Sequence, residues 1–278
     1  MKDVVINYPS FSEDNVSVWN ETLNQRARFF QKYANHIHPA YLDGYSKLHF
    51  EHHNIPTQEK LNKVLKAIGW RVVFVNGYLS AKAYANLLLN KISPINVQVR
   101  TKEQIEYAPG PDLIHDIIGH LPMLFLSSYT RYLLALARLL LHAKPNSTDL
   151  RLHAAQDKLS RLVYQAPENT AAIIQIENEI TLLETNILNN PSIYYQLSRI
   201  FLWTIEFGTM EKDGIAQIYG AGLMSSILEA EAICLNKIKS IKFSLDLITK
   251  QFKFSRMQDT VFIAKDFMQL EQFLAVYE

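Results

Sequence analysis

The 278-residue sequence has a single cysteine and almost no net charge, and these two scarcities exclude several classes of protein. Cys234 cannot form an internal disulfide, and its apolar neighbours favour a buried structural thiol. The 28 basic residues against 27 acidic ones give a formal charge of +1, which provides no broad electrostatic surface for nucleic acid or an anionic membrane. We therefore expect a small-molecule partner, and no nucleic-acid or membrane partner.

Long apolar runs and the common nucleotide motifs are also missing. No stretch approaches the roughly 18 uninterrupted apolar residues of a membrane helix, and residues 1–9 lack the apolar core of a signal peptide. We therefore expect a cytoplasmic protein. The sequence contains no GxGxxG, Walker or HExxH pattern. Its 48% hydrophobic content is ample for one large core, so we predict a single domain over 1–278.

The most unusual stretch runs from Pro109 to Pro122 and holds two histidines, two acids and three prolines. Its prolines and Gly119 bound a predicted helix of about two turns. At about 100° per residue, His115 and His120 lie roughly 140° apart on an ideal helix. A shared metal ion therefore requires the helix to end near Gly119, so that His120 can turn back.

A third ligand is suggested by Glu206, which lies in an apolar run between Ile200 and Gly208. A carboxylate buried there is costly unless a cation or a metal pairs with it. Two histidines and one carboxylate fit the facial triad of non-haem Fe(II) oxygenases, and they also fit zinc sites. Two histidines five residues apart are a weak pattern alone, and a core arginine or lysine could equally pair with the glutamate.

Periodicity and turn residues predict a mainly helical α+β chain. The predicted strands cover 70–75, 95–99 and 259–264. The predicted helices cover 14–38, 57–68, 80–91, 127–143, 150–165, 168–189, a segment from Pro191 through Glu206, a segment after Ser226, and 265–276.

Three motifs in order resemble the pterin-dependent aromatic amino acid hydroxylases, which act on phenylalanine, tyrosine and tryptophan. The segments are 111–122 (PDLIHDIIGHLP), 204–208 (TIEFG) and 219–226 (YGAGLMSS). Weaker similarity extends from about Arg28 to the C-terminus, as in bacterial members that consist of the catalytic domain only. The resemblance implies that family's predominantly helical α+β basket with short strands.

The resemblance also implies roles for individual residues. His115, His120 and Glu206 would hold Fe(II) as the catalytic metal site. Tetrahydrobiopterin or a related reduced pterin would bind a loop and a nearby acid, comprising Gly77, Tyr78, Leu79, Ser80, Tyr84 and Asp116, with Tyr84 stacking on the pterin. The amino acid substrate would contact a carboxylate-binding arginine and a surrounding pocket, comprising Arg100, Asp112, Tyr107, Leu202, Trp203 and Ser225.

The implied reaction is a monooxygenation of an aromatic amino acid, phenylalanine first and tryptophan second, in which one atom of dioxygen enters the ring. Four positions depart from the family pattern: Phe201 replaces a tyrosine, Leu202 a tryptophan, Pro94 a histidine and Ala108 a threonine. The alternatives are a zinc-dependent hydrolase and an inactive family member that serves as an interaction module.

The segment 142–190 separates His120 from Glu206 by 86 residues, roughly twice the interval in the family. We expect an inserted helical hairpin, because an insertion between two ligands of one ion must leave and rejoin the core at nearby points. An isoleucine and leucine stripe along 173–187 should pack against apolar residues of 152–163. The hairpin should lie over the active-site mouth or form a homodimer, and a passive position on the surface is the alternative.

Overall fold

The computed structural model describes residues 9–77, 79–108, 110–253 and 256–278, and helices dominate that part of the chain. This agrees with the predicted helical α+β class. The α-helices are α1 Glu13–Tyr33, α2 Pro39–Lys47, α3 Gln58–Leu65, α4 Ala81–Leu89, α5 Ser127–His142, α6 Ser147–Gln165, α7 Thr170–Leu188, α8 Ile193–Phe201, α9 Ala221–Ser225, α10 Ile227–Cys234 and α11 Phe267–Leu274.

Two small sheets complete the described fold. Strands β1 (Arg71–Val75) and β2 (Ile92–Asn96) form a parallel pair. The second sheet has the order β4-β3-β6-β5, with β3 at Thr209–Lys212, β4 at Ile215–Ile218, β5 at Lys239–Lys242 and β6 at Thr260–Ala264. Strands β3 and β4 are antiparallel, and the other two pairs are parallel.

The strand prediction for 95–99 was wrong by three residues, because β2 begins at Ile92 and includes Pro94. Proline lacks a backbone donor and is tolerated where a strand is paired on one side only, as in this two-stranded sheet. The predictions for 70–75 and 259–264 are confirmed by β1 and β6. Strands β3, β4 and β5 were not predicted, since each has only four residues.

Helix α5 is the predicted core helix, and its inward face confirms this. Tyr132 and Leu136 are fully buried, and the Tyr132 hydroxyl lies 2.6 Å from the Thr204 hydroxyl. That contact joins α5 to the turn that carries Glu206. Cys234 is buried as expected, and burial raises the pKa of its thiol to about 12.

Helices α6 and α7 pack against each other as a hairpin with an apolar cluster of their own. The predicted pairing of the 173–187 stripe with the 152–163 residues is confirmed. The cluster consists of Leu152, Ala155, Leu159, Val163, Ile176, Ile180, Leu183, Ile187 and Tyr195, with Leu162, Ile173 and Leu188 at its edge. Because Tyr195 belongs to α8, this cluster attaches the hairpin to the helix that leads to Glu206.

Within the described residues, no single helix is long and apolar enough to cross a membrane. One pair of segments, His115–Phe125 and Ser127–His142, meets the length and composition criteria only when taken together, and the two are bent by 115°.

Candidate functional site

The residues proposed as metal ligands lie on two π-helical turns, His115–His120 and Leu202–Glu206. In a π-helix the hydrogen bonds run from residue i to i+5, so residues five apart lie close together on one face. The expected end of the helix near Gly119 is therefore wrong. The widened turn, rather than a helix end, brings His120 beside His115.

The three side chains converge on one point. The Nε2 atoms of His115 and His120 are 3.1 Å apart, and Glu206 places one carboxylate oxygen 3.2 Å from the first and the other 3.3 Å from the second. They form a group whose ligand atoms all lie within 4.8 Å of one another. Three ligands at about 2.1 Å from one ion, at right angles, would be about 3 Å apart, so the arrangement fits a single metal ion.

The electrostatics of the group also fit a cation. Burial works to raise the pKa of Glu206, but His120 and His115 outweigh it and hold that pKa well below its usual range. Burial works to lower the pKa of His115, but Glu206 outweighs it and raises it. The Nδ1 atom of His115 lies 3.0 Å from the Ser225 hydroxyl, which fixes the ring so that Nε2 points at the carboxylate. Glu206 is thus held as an ionised carboxylate, the form that binds a cation.

Glycine is required where the two π-helical turns meet the segment 220–222. A methyl group on Gly119 would lie 2.6 Å from the Ala221 carbonyl oxygen, and one on Gly222 would lie 3.0 Å from the Glu206 carbonyl oxygen. Any larger residue would force the backbones apart. The glycines in the two predicted motifs therefore set the spacing of the ligand-bearing turns.

A cavity of about 360 Å³ extends from the three ligands, which is within the range of small-molecule sites. Of the residues expected to bind a pterin, Gly77, Leu79, Tyr84 and Asp116 line it. Ser80 does not line it, because its hydroxyl accepts a hydrogen bond from the Ala83 amide and caps α4. Tyr78 lies outside the described residues.

Asp116 and Tyr84 are held by different forces. The Asp116 carboxylate accepts a hydrogen bond from the Asn96 amide at 2.7 Å, and burial raises the pKa of its carboxyl to about 6. Burial raises the pKa of Tyr84 well above its ordinary value, and its ring meets Phe201 edge to face at 5.8 Å. Both side chains therefore lie in a largely desolvated part of the cavity.

The residues expected to bind a substrate divide into two groups. Tyr107, Leu202 and Ser225 line the cavity. Arg100 and Asp112 lie behind the wall as a fully buried ion pair, in which Nη2 and Nε of the arginine donate to the two carboxylate oxygens at 2.7 and 2.9 Å. Nη1 of Arg100 donates to the Ser225 carbonyl at 2.8 Å, so the pair supports the wall at Ser225.

The structure does not place Trp203 at the cavity, which corrects the prediction for this residue. Its indole is buried and packs edge to face against Phe207, Phe252 and Phe262, of which the first two line the cavity. Its neighbour Leu202 is the residue of that pair that faces the cavity. Proximity in sequence to a wall residue therefore did not predict which side chain points inward.

Many wall residues were not predicted individually, although a hairpin over the active-site mouth was one of the expected positions. The hairpin helix α6 contributes Asp149, Leu152, His153, Gln156, Leu159 and Ser160. Helix α10 contributes Glu229, a carboxyl inside the apolar sequence 227–234, which is the same kind of signal that pointed to Glu206. The four positions that depart from the resembled family all line the cavity: Pro94, Ala108, Phe201 and Leu202.

Comparison with known proteins gives a family match over most of the chain. The model of the biopterin-dependent aromatic amino acid hydroxylase family matches residues 3–142 and 169–278, and so leaves out 143–168. The chain is 25% identical over 269 residues to the phenylalanine-4-hydroxylase of Pseudomonas aeruginosa, which covers 96% of this chain and 83% of that protein. It is 24% identical over 280 residues to a probable aromatic amino acid hydroxylase of Chlamydia pneumoniae, covering 99% and 66%.

Solved structures agree in fold. The crystal structure of Chromobacterium violaceum phenylalanine hydroxylase, with bound iron(III) and 7,8-dihydrobiopterin, aligns with a TM-score of 0.74 at 22% identity, covering 99% of this chain and 85% of that one. The phenylalanine hydroxylase of Legionella pneumophila aligns with a TM-score of 0.72 at 21% identity, covering 98% and 91%.

Proposed function

The chain belongs to the biopterin-dependent aromatic amino acid hydroxylase family, and from that premise we propose that it hydroxylates the ring of phenylalanine with Fe(II), a tetrahydropterin and dioxygen. The observation that carries the proposal is the convergence of His115, His120 and Glu206 at one end of a cavity. Gly77, Leu79, Tyr84 and Asp116 line the same cavity, where the family resemblance puts the pterin.

The donor set fits Fe(II). Two imidazoles and one carboxylate are the donor set of non-haem Fe(II) sites, so His115, His120 and Glu206, which all line the cavity, would hold the ion and leave room for further ligands. The low pKa of Glu206 keeps the carboxylate ionised over the whole physiological range, so no proton competes for its oxygens. Ser225 orients His115 through the hydrogen bond to Nδ1.

Iron and the reduced pterin together supply the electrons and the activation of dioxygen from which one oxygen atom enters the aromatic ring. The chain's own residues do the rest. Tyr84 and Phe201 offer aromatic surface on the pterin side, and Asp116 offers a carboxyl held in place by the Asn96 amide. The buried, mostly apolar wall excludes water from the reacting groups.

Phenylalanine is proposed first because relatives across the length of the chain carry that activity in their names. Leu202, where the resembled family has tryptophan, enlarges one part of the wall, and α6 adds residues to another. Tryptophan is therefore the second amino acid to assay, and a screen of phenylalanine, tyrosine and tryptophan decides between them.

The test combines metal analysis with oxygen uptake. The protein reconstituted with Fe(II) should retain about one iron per chain, consume oxygen only when both a tetrahydropterin and phenylalanine are present, and release tyrosine. Glu206→Ala should abolish iron retention, and Glu211→Ala on exposed β3 should leave it unchanged. Tight zinc with hydrolysis independent of oxygen would replace the proposal with a zinc hydrolase, and a protein that retains no metal would favour an interaction module.

The cytoplasmic location and a homodimer formed through the 142–190 hairpin stay predictions, as does the treatment of 1–278 as one catalytic domain. The mass of the protein in solution tests the dimer directly.

A further inference from the structure

Glu229 is a buried carboxyl in the cavity wall that the proposed reaction does not use. Its side chain is 3% exposed and lines the cavity near Tyr107 and Ser226. One carboxylate oxygen, Oε1, accepts a hydrogen bond from the Gln258 amide at 2.8 Å. Within the described residues, no hydrogen bond to the other oxygen, Oε2, is formed.

No cation in the described part of the chain compensates this carboxyl. The two basic side chains that line the same side of the cavity are held by other acids, since Lys253 pairs with Asp259 at 3.0 Å and Arg256 pairs with Glu177 at 2.7 Å. A carboxylate buried in an apolar wall without a partner is costly. Burial accordingly raises the pKa of Glu229 to about 7, and the hydrogen bond from the Gln258 amide offsets only part of that rise.

Glu229 is held beside the cavity-lining residues Ser225 and Ser226. Helix α10 begins after Ser226, whose hydroxyl accepts a hydrogen bond from the Glu229 amide at 3.4 Å. Arg100 lies just behind the preceding residue, with Nη1 bonded to the Ser225 carbonyl. The buried Arg100–Asp112 pair thus supports the wall segment 225–229 from behind, and Glu229 lines the cavity at the end of that segment.

We propose that Glu229 binds the α-ammonium group of the amino acid substrate through its second carboxylate oxygen. This inference rests on the proposed function and adds the group that distinguishes a free amino acid from an aromatic acid without an amine. The ligand supplies the cation that the wall lacks, and a charged hydrogen bond in a desolvated site is strong. Tyr107 lies near this carboxyl: burial raises the pKa of its phenol, and the charge of Glu229 raises it further.

The test uses three ligands that differ in one group. L-Phenylalanine has both head groups, phenethylamine lacks the carboxylate and 3-phenylpropanoate lacks the amine. Binding of each to the iron-loaded protein is measured by calorimetry, and turnover of phenylalanine is measured separately. The variant is Glu229→Gln, which keeps the shape and the acceptor for the Gln258 amide. The control is Glu231→Gln on the same helix, because Glu231 pairs with Lys32 away from the cavity.

Glu229→Gln should weaken L-phenylalanine and phenethylamine about ten- to a hundredfold, the value of one charged hydrogen bond, and leave 3-phenylpropanoate unchanged. Unchanged binding of 3-phenylpropanoate also shows that the variant is folded. Equal weakening of all three ligands, no weakening of the amines, or a parent protein that binds neither amine would overturn the inference. A parent that binds the amines through Glu229 but hydroxylates no aromatic amino acid would instead refute the proposed function.

Discussion

A buried ion pair between Glu184 and Arg199 joins the hairpin to helix α8, and we expect its removal to lower the free energy of unfolding. Glu184 lies on α7 and Arg199 on α8, both are 2% exposed, and Nη2 of the arginine donates to Oε1 of the glutamate. Nε of Arg199 also donates to the Tyr195 hydroxyl at 2.8 Å. Helix α8 continues directly into the turn that ends at Glu206.

Arg199→Met should destabilise the protein by about 3 to 5 kcal/mol, because it leaves the Glu184 carboxylate buried without its cation. The double variant Glu184→Met with Arg199→Met should recover most of that loss, to within about 1 kcal/mol of the parent. Burial raises the pKa of Glu184 more than Arg199 lowers it, so the pair itself carries a large desolvation cost that an apolar pair avoids.

Urea unfolding followed by circular dichroism measures these free energies, with the slope checked for constancy across the variants. The control is Arg161→Met, which breaks the i,i+4 pair with Asp157 on the surface of α6, where the arginine side chain is 67% exposed. That change should cost less than about 1 kcal/mol. A cost below 1 kcal/mol for Arg199→Met, or a double variant as unstable as the single one, would refute the reasoning.

Three further predictions concern the site. Gly119→Ala should lower both iron retention and the free energy of unfolding, the latter by about 1 to 3 kcal/mol, because its methyl group meets the Ala221 carbonyl at 2.6 Å; normal iron content would contradict this. The pKa of Glu229 is raised to about 7 in the folded protein, so its contribution to stability is present at low pH and is lost as the pH rises through 7. Between pH 5 and 8, the free energy of unfolding of the metal-free parent should therefore fall by about 2 to 3 kcal/mol relative to that of Glu229→Gln. Urea titrations at the two pH values measure this difference. Gln156→Trp, whose larger side chain fills part of the cavity from α6, should raise the KM for tryptophan more than that for phenylalanine, and Lys158→Trp on the exposed face should change neither.

The metal ligands were predictable because ionisable residues in apolar surroundings can be recognised in the sequence. A carboxylate in the apolar run around Glu206 and two histidines between prolines and glycines are unusual whatever the fold. The geometry was not predictable, because a regular α-helix turns by about 100° per residue and would have to end at Gly119 for both histidines to reach one ion. A π-helical turn has no strong local sequence signal, and the close packing of the ligand-bearing turns against 220–222 involves residues far apart in the sequence.

The orientation of neighbouring side chains was equally out of reach of sequence reasoning. Leu202 and Trp203 are adjacent in sequence, and only the structure shows that Leu202 lines the cavity while the Trp203 indole packs against Phe252 and Phe262. Glu229 carried the same signal as Glu206, a carboxyl inside an apolar helix, but it lay outside the recognised motifs. Strong periodicity, by contrast, gave the hairpin interface correctly, because the stripe on α7 allows one buried face.

The hairpin explains how a long interval between two ligands can leave their geometry intact. Asp149 at the start of α6 accepts a hydrogen bond from the hydroxyl of Ser192, the residue that caps α8, at 2.7 Å. The 43-residue excursion between them therefore leaves and rejoins the core at one place. Closing a loop costs little more as the loop lengthens, so α6 and α7 could be accommodated without moving Glu206. Because α6 also lines the cavity, the segment that the family model leaves out, 143–168, supplies a part of the cavity wall that the matched residues do not.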